Sequence, residues 1–562
     1  MGLLRRRSFL IAALFLLCFT SSNVVLSQDP HQAGFITLNC GGENFTDDRT
    51  GLRYTSDATF VGDNVNAVSN SLTPQYKNVV LDTEWRTVTS FPKGIRNCYT
   101  LRPTQGKLNK YLIRARFFYG NYDANPDKQL PQFDLHLGVE YWDTVQFISE
   151  FDTEVVDKEI IHIPSSDLVH VCLFNIGLGT PFISILELRP LTNSMYPSVS
   201  GGSLMNYIRS DIGSTSFSAS THGLRYKDDV FDRIWVPWTL DGAKPVNATS
   251  TTENFANEEN LFRMPPAVMN SGVVPSDPTQ PLTFSWSTKK STDKFYIYLS
   301  FAEIQNLKSN QTRELNIYLN GNFYYGPVVP PNKGYITVYP KIPYTNATKY
   351  NLSLSKTQNS TLPPIINALE VYYLKQFNEP QTNDNDVAAM FGIKSDYGVT
   401  NKNWQGDPCS PLSYSWNGLK CHHTASNPPR ITSMNLSSSG LTGPISSYIS
   451  NLTMIQVIDL SNNKLTGPIP DFLSQLPSLS ILNLSGNNFS GPVPEKLLQK
   501  SKEGNLTLSI ESVDPNTNSC QNNSSCDHNN KKKNIVVPAL ASVLLLVLAI
   551  VGILLVVKRK KT

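Results

Sequence analysis

Apolar and polar residues alternate at period two through much of the first two thirds of the chain. FDLHLG from Phe133, LNIYLNG from Leu315 and FISILELR from Phe182 follow this rhythm, separated by clusters of Gly, Pro, Asn and Asp. Alternation of this kind predicts β-strands with one packed and one solvated face. Two apolar, aromatic and β-branched runs, YLIRARFF from Tyr111 and FYIYLSFA from Phe295, lie at an offset of 184. Around them Gly51-Leu52-Arg53-Tyr54 returns as Gly223-Leu224-Arg225-Tyr226, and Pro181-Phe182-Ile183 through Glu187-Leu188 returns as Pro364-Ile365-Ile366 through Glu370-Val371. Residues 34–191 and 215–375 therefore read as two copies of one all-β unit, of a size and strand rhythm that favour β-sandwiches.

Beyond them the pattern changes twice. From Gln376 the chain is polar, then Asp386 is placed to cap a short helix carrying Val387, Met390 and Phe391. From Ile431 to Ile510, Leu436, Leu460, Leu484 and Leu508 recur every 24 residues, and Gly443, Gly467 and Gly491, each followed by proline, keep the same step. IDLSNNKLTGPIP and LNLSGNNFSGPVP match a leucine-rich repeat, in which a short strand sends Leu and Ile into the core. Asn463 and Asn487 are placed to satisfy backbone groups at the turn. A repeat leaves its apolar edge open until a neighbour stacks on it, so a short array depends on its caps. Cys409 and Cys421 fit an N-terminal cap disulfide, and Cys520 and Cys526 a C-terminal one.

Two further apolar runs concern the membrane. Ile535 to Val557 is an unbroken apolar stretch of 23 residues followed by Lys558-Arg559-Lys560-Lys561-Thr562, which predicts a transmembrane helix with a basic stop. Arg5 to Arg7, the apolar Phe9 to Phe19 and the small residues near Ser27 predict a cleaved secretory signal. Everything between Gln28 and Lys533 is then expected outside the cytoplasm. The terminal lysines also have the spacing of a dilysine retrieval signal, although a plain stop-transfer cluster is the favoured reading.

Charge and cysteine content agree with that compartment. Lys plus Arg number 48 against 45 Asp plus Glu, and the dense basic runs flank the membrane segment, so nucleic-acid binding has no electrostatic footprint. Without Cys18 of the signal, seven cysteines remain in an oxidising compartment, so one stays unpaired or pairs between chains. Of Cys40, Cys98 and Cys172, two can bridge, and the sequence does not choose the pair. Sequons stand at Asn44, Asn247, Asn310, Asn346, Asn351, Asn359, Asn435, Asn451, Asn483, Asn488, Asn505, Asn522 and Asn523, as in a secreted glycoprotein.

The ordered set GFITLNCGG, TEWRTVTSFPKGIRNCYTL, GTPFISILELRPL, DDVFDRIW, SFAEIQN, GDPC and the short leucine-rich array resembles the plant malectin-like, leucine-rich-repeat receptor kinases, including symbiosis-receptor relatives. The resemblance covers residues 34–562. It implies a mainly β chain: signal peptide 1–27, malectin-like sandwiches 28–200 and 201–375, a linker and N-terminal cap with GDPC over 376–430, and leucine-rich repeats in a short solenoid over 431–510. A juxtamembrane segment 511–534, one transmembrane helix 535–557 and a cytoplasmic tail 558–562 complete the expectation. The family continues into a cytoplasmic kinase, whereas these residues contain no glycine-rich loop, VAIK-like lysine, HRD or DFG. No enzymatic activity, cofactor or metal is therefore expected of them, and a truncation, a kinase-lacking splice form and a receptor-like protein using a partner kinase remain open.

Animal malectin, to which the sandwiches are similar, binds a disaccharide with loop aromatics and an acid. Tyr119, Tyr122, Asp123, Tyr141 and Trp142 are the corresponding candidates, since rings stack on sugar faces and carboxylates hold hydroxyls. The second unit reads Glu303-Ile304-Gln305-Asn306 at the matching stretch, without those rings. On the inner strand face of the repeats, Gln456, Val457, Asp459, Ile481 and Asn483 are the outward candidates. The acids Asp228, Asp229 and Asp232 beside Arg233 are the one carboxylate cluster to weigh for glycosidase chemistry, and internal ion pairing is the better reading. The expected protein is a single-pass type I plasma-membrane receptor recognising an extracellular peptide or cell-wall carbohydrate, with a membrane co-receptor or partner kinase. A non-signalling wall-binding or decoy protein and an endoplasmic-reticulum glycan-binding protein are the alternatives.

Overall fold

Strands Lys110–Phe118 and Phe295–Phe301 are buried at every residue, and each lies inside one long sheet. In the computed structural model, which describes residues 32–61, 66–73, 82–123, 130–147, 154–197, 202–214, 223–248, 261–399, 403–424 and 427–510, that sheet has eleven strands. It runs through both β units without a break. The link is the antiparallel pairing of Val155–His162 with Ser203–Ile212, through Ile160↔Met205 and Ile161↔Leu204. Edge strands left by two separate sandwiches would expose unpaired backbone groups, and joining them removes both edges. The expected tandem units therefore share a sheet.

Each unit adds its own second layer. In the first, strands Arg96–Leu101, Val169–Leu178, Gln132–Leu137 and Glu140–Val145 form a four-stranded sheet over a core that includes Phe117, Phe133, Leu135, Trp142 and Phe182. In the second, Leu282–Ser287, Lys349–Lys356, Leu315–Leu319 and Asn322–Val328 do the same over Phe284, Ile297, Ile317 and Leu352. Gln132–Leu137 and Leu315–Leu319 alternate in burial as their sequences predict. Ile185–Leu191 does not, because it lies between two other strands of the long sheet with both faces covered.

At the join, Asp229 and Asp232 of DDVFDRIW are buried among arginines, while Asp228 is exposed. Asp232 accepts from Arg225 Nε at 2.7 Å and Arg189 Nε at 2.8 Å, Glu187 from Arg225 Nη2 and Arg114 Nη1 at 2.7 Å, and Asp229 from Arg233 Nε and Trp235 Nε1 at 2.7 Å. Burial raises the Glu187 carboxyl, but Arg225, Arg189 and Arg114 outweigh it and hold it well below the usual range. Asp232 is brought down to about 2 against the same burial, by Arg225 and Arg189. Buried acids paired in this way serve the structure, and Glu187 and Asp232 stay ionised near neutral pH.

The helix after the sandwiches runs Asp384–Tyr397, three residues earlier than predicted, and Asn383 is its cap, its side chain accepting from Asn385 N. Asp386 does other work. Fully buried, it accepts from Arg430 Nε at 3.0 Å and Ile431 N at 2.8 Å, tying the helix to the first repeat strand. Repeat strands Arg430–Asn435, Val457–Asp459, Ile481–Asn483 and Thr507–Ser509 stack in parallel. Asn463 Nδ2 donates to Leu436 O, Leu460 O and Ser461 O, and Asn487 repeats this one turn on, so each asparagine ladders two repeats together.

Cys409–Cys421 is bonded, and so is Cys98–Cys172, whose residues face each other across paired strands, leaving Cys40 buried and free. The signal sequence, Cys520, Cys526, Asn522, Asn523 and the apolar run 535–557 lie outside the described residues. Among the described residues no helix is long and apolar enough to cross a membrane.

Candidate ligand-binding site

The outward face of the first unit's four-stranded sheet should be solvated, yet it is covered. Strand Arg96–Leu101 turns Arg96, Cys98 and Thr100 to that side, and registers Phe174↔Arg96, Cys172↔Cys98 and His170↔Thr100 bring their neighbours alongside. Helix Asp384–Tyr397 and the cap from Trp404 to Trp416 lie on top of them. The segment expected to be a linker is thus a third layer.

GDPC is the clamp of that layer. Gly406 has φ +61°, and a Cβ there would sit 2.9 Å from Cys98 Sγ and 3.3 Å from Cys172 Sγ, so only glycine allows the cap to rest on the disulfide. Asp407 is buried and caps its own turn, accepting from Cys409 N at 2.9 Å, Ser410 N at 2.7 Å and Thr382 N at 2.9 Å. Burial raises its carboxyl above the usual value even so. Arg96 reaches up from the sheet to the carbonyls of Tyr414 at 2.7 Å, Ser410 at 3.2 Å and Asp407 at 3.3 Å. His170 stacks on Phe391 with centroids 5.8 Å apart and bonds Thr100 Oγ1 at 3.1 Å. Burial, aided by Arg96, Arg102 and Lys394, pushes its imidazole down to about 3, so it stays neutral. Trp404 and Trp416 stack at 4.8 Å and donate to Asn417 O and Gln405 O.

Between sheet and cap a cleft of about 650 Å³ stays open. Thr100, Arg102, Asp167 and Leu168 form one wall, Val387, Phe391, Gly392 and Lys394 of the helix the other, and Tyr448 of the first repeat closes an end. Its volume and its position between structural units suit a ligand site. The sequence reading missed these residues. The available signal was the sequence RNCYTLR from Arg96, which sets Arg, Cys, Thr and Arg on one strand face and so asks for a covering layer.

The aromatic candidates are not brought together at a surface. Tyr119, Tyr122 and Trp142 belong to the sandwich core, where Tyr122 packs on Phe182 at 5.2 Å and Tyr119 on Tyr122 at 5.7 Å. Exposed Asp123 accepts from Tyr119 Oη at 2.6 Å, while exposed Tyr141 lies apart under Lys375 Nζ at 4.7 Å. Rings whose faces are packed cannot stack on a sugar. In the second unit Glu303 and Gln305 both hold Arg313, at 2.7 and 2.8 Å. On the inner face of the repeats, Asp459 and Asn483 turn back to Ser461 and Ser485 and serve the chain turn, leaving Gln456, Val457 and Ile481 outermost. Asn44, Asn247, Asn310, Asn346, Asn351, Asn359, Asn451, Asn488 and Asn505 are all exposed. No sequon falls between Asn359 and Asn435, the stretch that supplies the helix and cap, and Asn451, beside Tyr448, is the acceptor nearest the cleft in sequence. Among the described residues, no group of three or more His, Cys, Asp or Glu residues could hold a metal.

Residues 38–374 match the malectin-like domain family, and residues 429–489 the leucine rich repeat family. A putative leucine-rich repeat receptor-like protein kinase of Arabidopsis thaliana is 42% identical over 444 residues, covering 78% of this chain and 49% of that protein. The LRR receptor-like serine/threonine-protein kinase IOS1 of the same plant is 41% identical over 444 residues, covering 78% and 47%. The chain thus spans about half the length of the curated relatives it matches. Among solved structures, the ANX2 ectodomain from Arabidopsis thaliana aligns with TM-score 0.49 and 15% identity over 61% of this chain and 97% of that one. The plant peptide RALF23 in complex with FER and LLG2 aligns with TM-score 0.46 and 16% identity over 61% and 95%.

Proposed function

We propose, since the chain belongs to the malectin-like, leucine-rich-repeat family of plant receptor kinases, that it is the ligand-recognising part of a cell-surface receptor. In this reading the protein is a single-pass type I plasma-membrane protein with residues 32–510 outside the cell. It takes up an extracellular ligand and passes the signal on through a membrane co-receptor or partner kinase. The observation that carries the reading is the cleft between the first sandwich and the cap, held open by Arg96, Gly406 and the Cys98–Cys172 disulfide. A preformed cleft spares a ligand the cost of organising its own site.

Exposed sequons on both sandwiches and on the repeats support the extracellular placement. The test is binding by the full chain, purified in detergent, against panels of secreted plant peptides and cell-wall oligosaccharides, with hydrogen exchange to locate any bound ligand. Protection confined to the cleft walls is the expected result. A ligand that protects the inner repeat face and leaves the cleft unchanged refutes the assignment. Surface labelling of intact cells with a membrane-impermeant reagent tests the topology, and failure to label the lysines of 32–510 refutes it.

A further inference from the structure

We propose that the cleft is a peptide site in which the Arg102 guanidinium pairs with a ligand carboxylate, supplied by an acidic side chain or a C-terminus, while an apolar side chain seats against Phe391 and Tyr448. This rests on the receptor reading above and adds the ligand's chemistry to it. Four charged residues line the cleft: Arg102, Asp167, Asp384 and Lys394. Three of them are already engaged. Asp384 pairs with Lys107, Asp167 accepts from Lys107 N at 2.8 Å, and Lys394 donates to Trp404 O at 2.9 Å over the Trp416 ring. Arg102 makes no hydrogen bond or ion pair with any described residue. His170, its neighbour behind Thr100, is held neutral and so does not compete for an anion. An exposed guanidinium left without a partner at the wall of a cleft offers a planar fork that matches a carboxylate.

The aromatic residues and Arg102 together favour a peptide over a neutral sugar. Phe391 lies nearly parallel to His170, at 13°, and meets Trp416 edge-on at 5.4 Å. Tyr448 is pressed against Gly392, where a Cβ would come within 2.4 Å of its ring. Protein covers one face of each ring, and the apolar surface that remains takes an aliphatic or aromatic side chain while Arg102 beside it asks for a carboxylate that a neutral sugar lacks. A cleft of about 650 Å³ with the unpaired Arg102 and these rings in its walls takes a short extended segment with an acid and an apolar residue close together.

The experiment uses the full chain in detergent and three probe panels: short peptides carrying one acidic residue and a free C-terminus, the same peptides with Gln and a C-terminal amide, and cell-wall oligosaccharides both neutral and uronic. The first panel is expected to yield binders whose amidated, Gln-bearing counterparts are weaker by roughly tenfold or more, the loss of a charge-assisted contact. Arg102→Gln should erase that difference and Arg102→Lys restore part of it. Lys420→Gln, which removes an exposed charge away from the cleft, should leave it intact. Equal binding of acidic and neutral peptides, or a preference that survives Arg102→Gln, overturns the proposal. Binding of oligosaccharides in the cleft with no peptide binding also overturns it, while leaving the receptor reading standing. A chain that binds neither class overturns both.

Discussion

Replacing Gly406 by alanine should loosen the cap from the first sandwich, and the size of the effect follows from two separable terms. The first is conformational: Gly406 has φ +61°, and an L-residue held there costs about 1–2 kcal/mol. The second is steric. The new Cβ would lie 2.9 Å from Cys98 Sγ and 3.3 Å from Cys172 Sγ, and both sulfurs belong to a buried cross-strand disulfide that cannot swing aside. Overpacking of this kind costs about 1–3 kcal/mol, and the stiffer unfolded chain returns roughly 0.4–1 kcal/mol. The net loss is about 2–4 kcal/mol. Gly443→Ala is the matched control, since Gly443 has φ +84° with nothing within 4 Å of the added Cβ, and so carries only the first term. A body with several cores has no single unfolding free energy, so native-state hydrogen exchange at the amides of Ser410 and Trp416, which bond Asp407 Oδ1 and Pro408 O, is the assay. For Gly443→Ala it is read at the amides of its own repeat. If the two variants lower their local opening energies equally, the disulfide contact contributes nothing and the account of GDPC as a clamp is wrong.

Other expectations bear on the same layer. Arg96→Met removes the donors to the carbonyls of Asp407, Ser410 and Tyr414; each buried acceptor left bare costs about 1–3 kcal/mol, offset in part because burial already pulls this guanidinium down to about 10. Faster proteolysis between residues 376 and 424 should follow, and unchanged cleavage would speak against it. Asp386→Asn leaves the shape but weakens the tie to Arg430 and Ile431 N by about 2 kcal/mol, less than a fully buried pair because Arg430 is a quarter exposed, and hydrogen exchange of helix Asp384–Tyr397 reports it. Burial lowers His170 from 6.5 to about 3, and His162 and His136 to about 4, so the unfolded chain takes up these protons first. Their stabilising contribution is complete above pH 6.5 and fades as pH falls toward 4. Asp211, raised by burial from 3.8 to about 6, acts oppositely, its contribution complete below 3.8 and lost as pH rises through 6. Three groups against one leave a net loss on acidification of roughly two protons' slope, about 2.7 kcal/mol per pH unit at most. Opening free energies from native-state hydrogen exchange that stay flat from pH 7 to 4 on the strands carrying these histidines would refute this.

The sequence carried the repeats well, because a fixed step of 24 residues leaves Asn463 and Asn487 one role each, and the structure gives them that role. Alternation also located Gln132–Leu137 and Leu315–Leu319. It could not show that Val155–His162 pairs with Ser203–Ile212, since strand order is a long-range fact that leaves no mark on local period. For the same reason Asp229 and Asp232 were readable as paired but not as part of the join between two units. The aromatic candidates failed for a different cause. Tyr119, Tyr122 and Trp142 stand near strand ends, where a tyrosine or tryptophan serves core or ligand equally well, and only the position of Phe182 and Phe147 decides between them. Asp386 was misread as a cap because a carboxylate in the first turn satisfies the same rule whether it faces solvent or a neighbouring strand.

What the sequence concealed is also what makes a receptor reading mechanical. A ligand in the cleft touches strand Arg96–Leu101, helix Asp384–Tyr397 and Tyr448 together, and these belong to the first sandwich, its third layer and the first repeat. Binding can shift an arrangement only by the difference in its affinity for two arrangements. Arg96, Gly406 and Asp386 fix this one through buried contacts, so a second arrangement would have to break several of them at once. Ligand energy of ordinary size is then better spent on occupancy than on reshaping the body. In the receptor reading proposed above, the ligand would be reported by a new composite surface at the sandwich-to-repeat junction, where a membrane partner would read peptide and protein side by side.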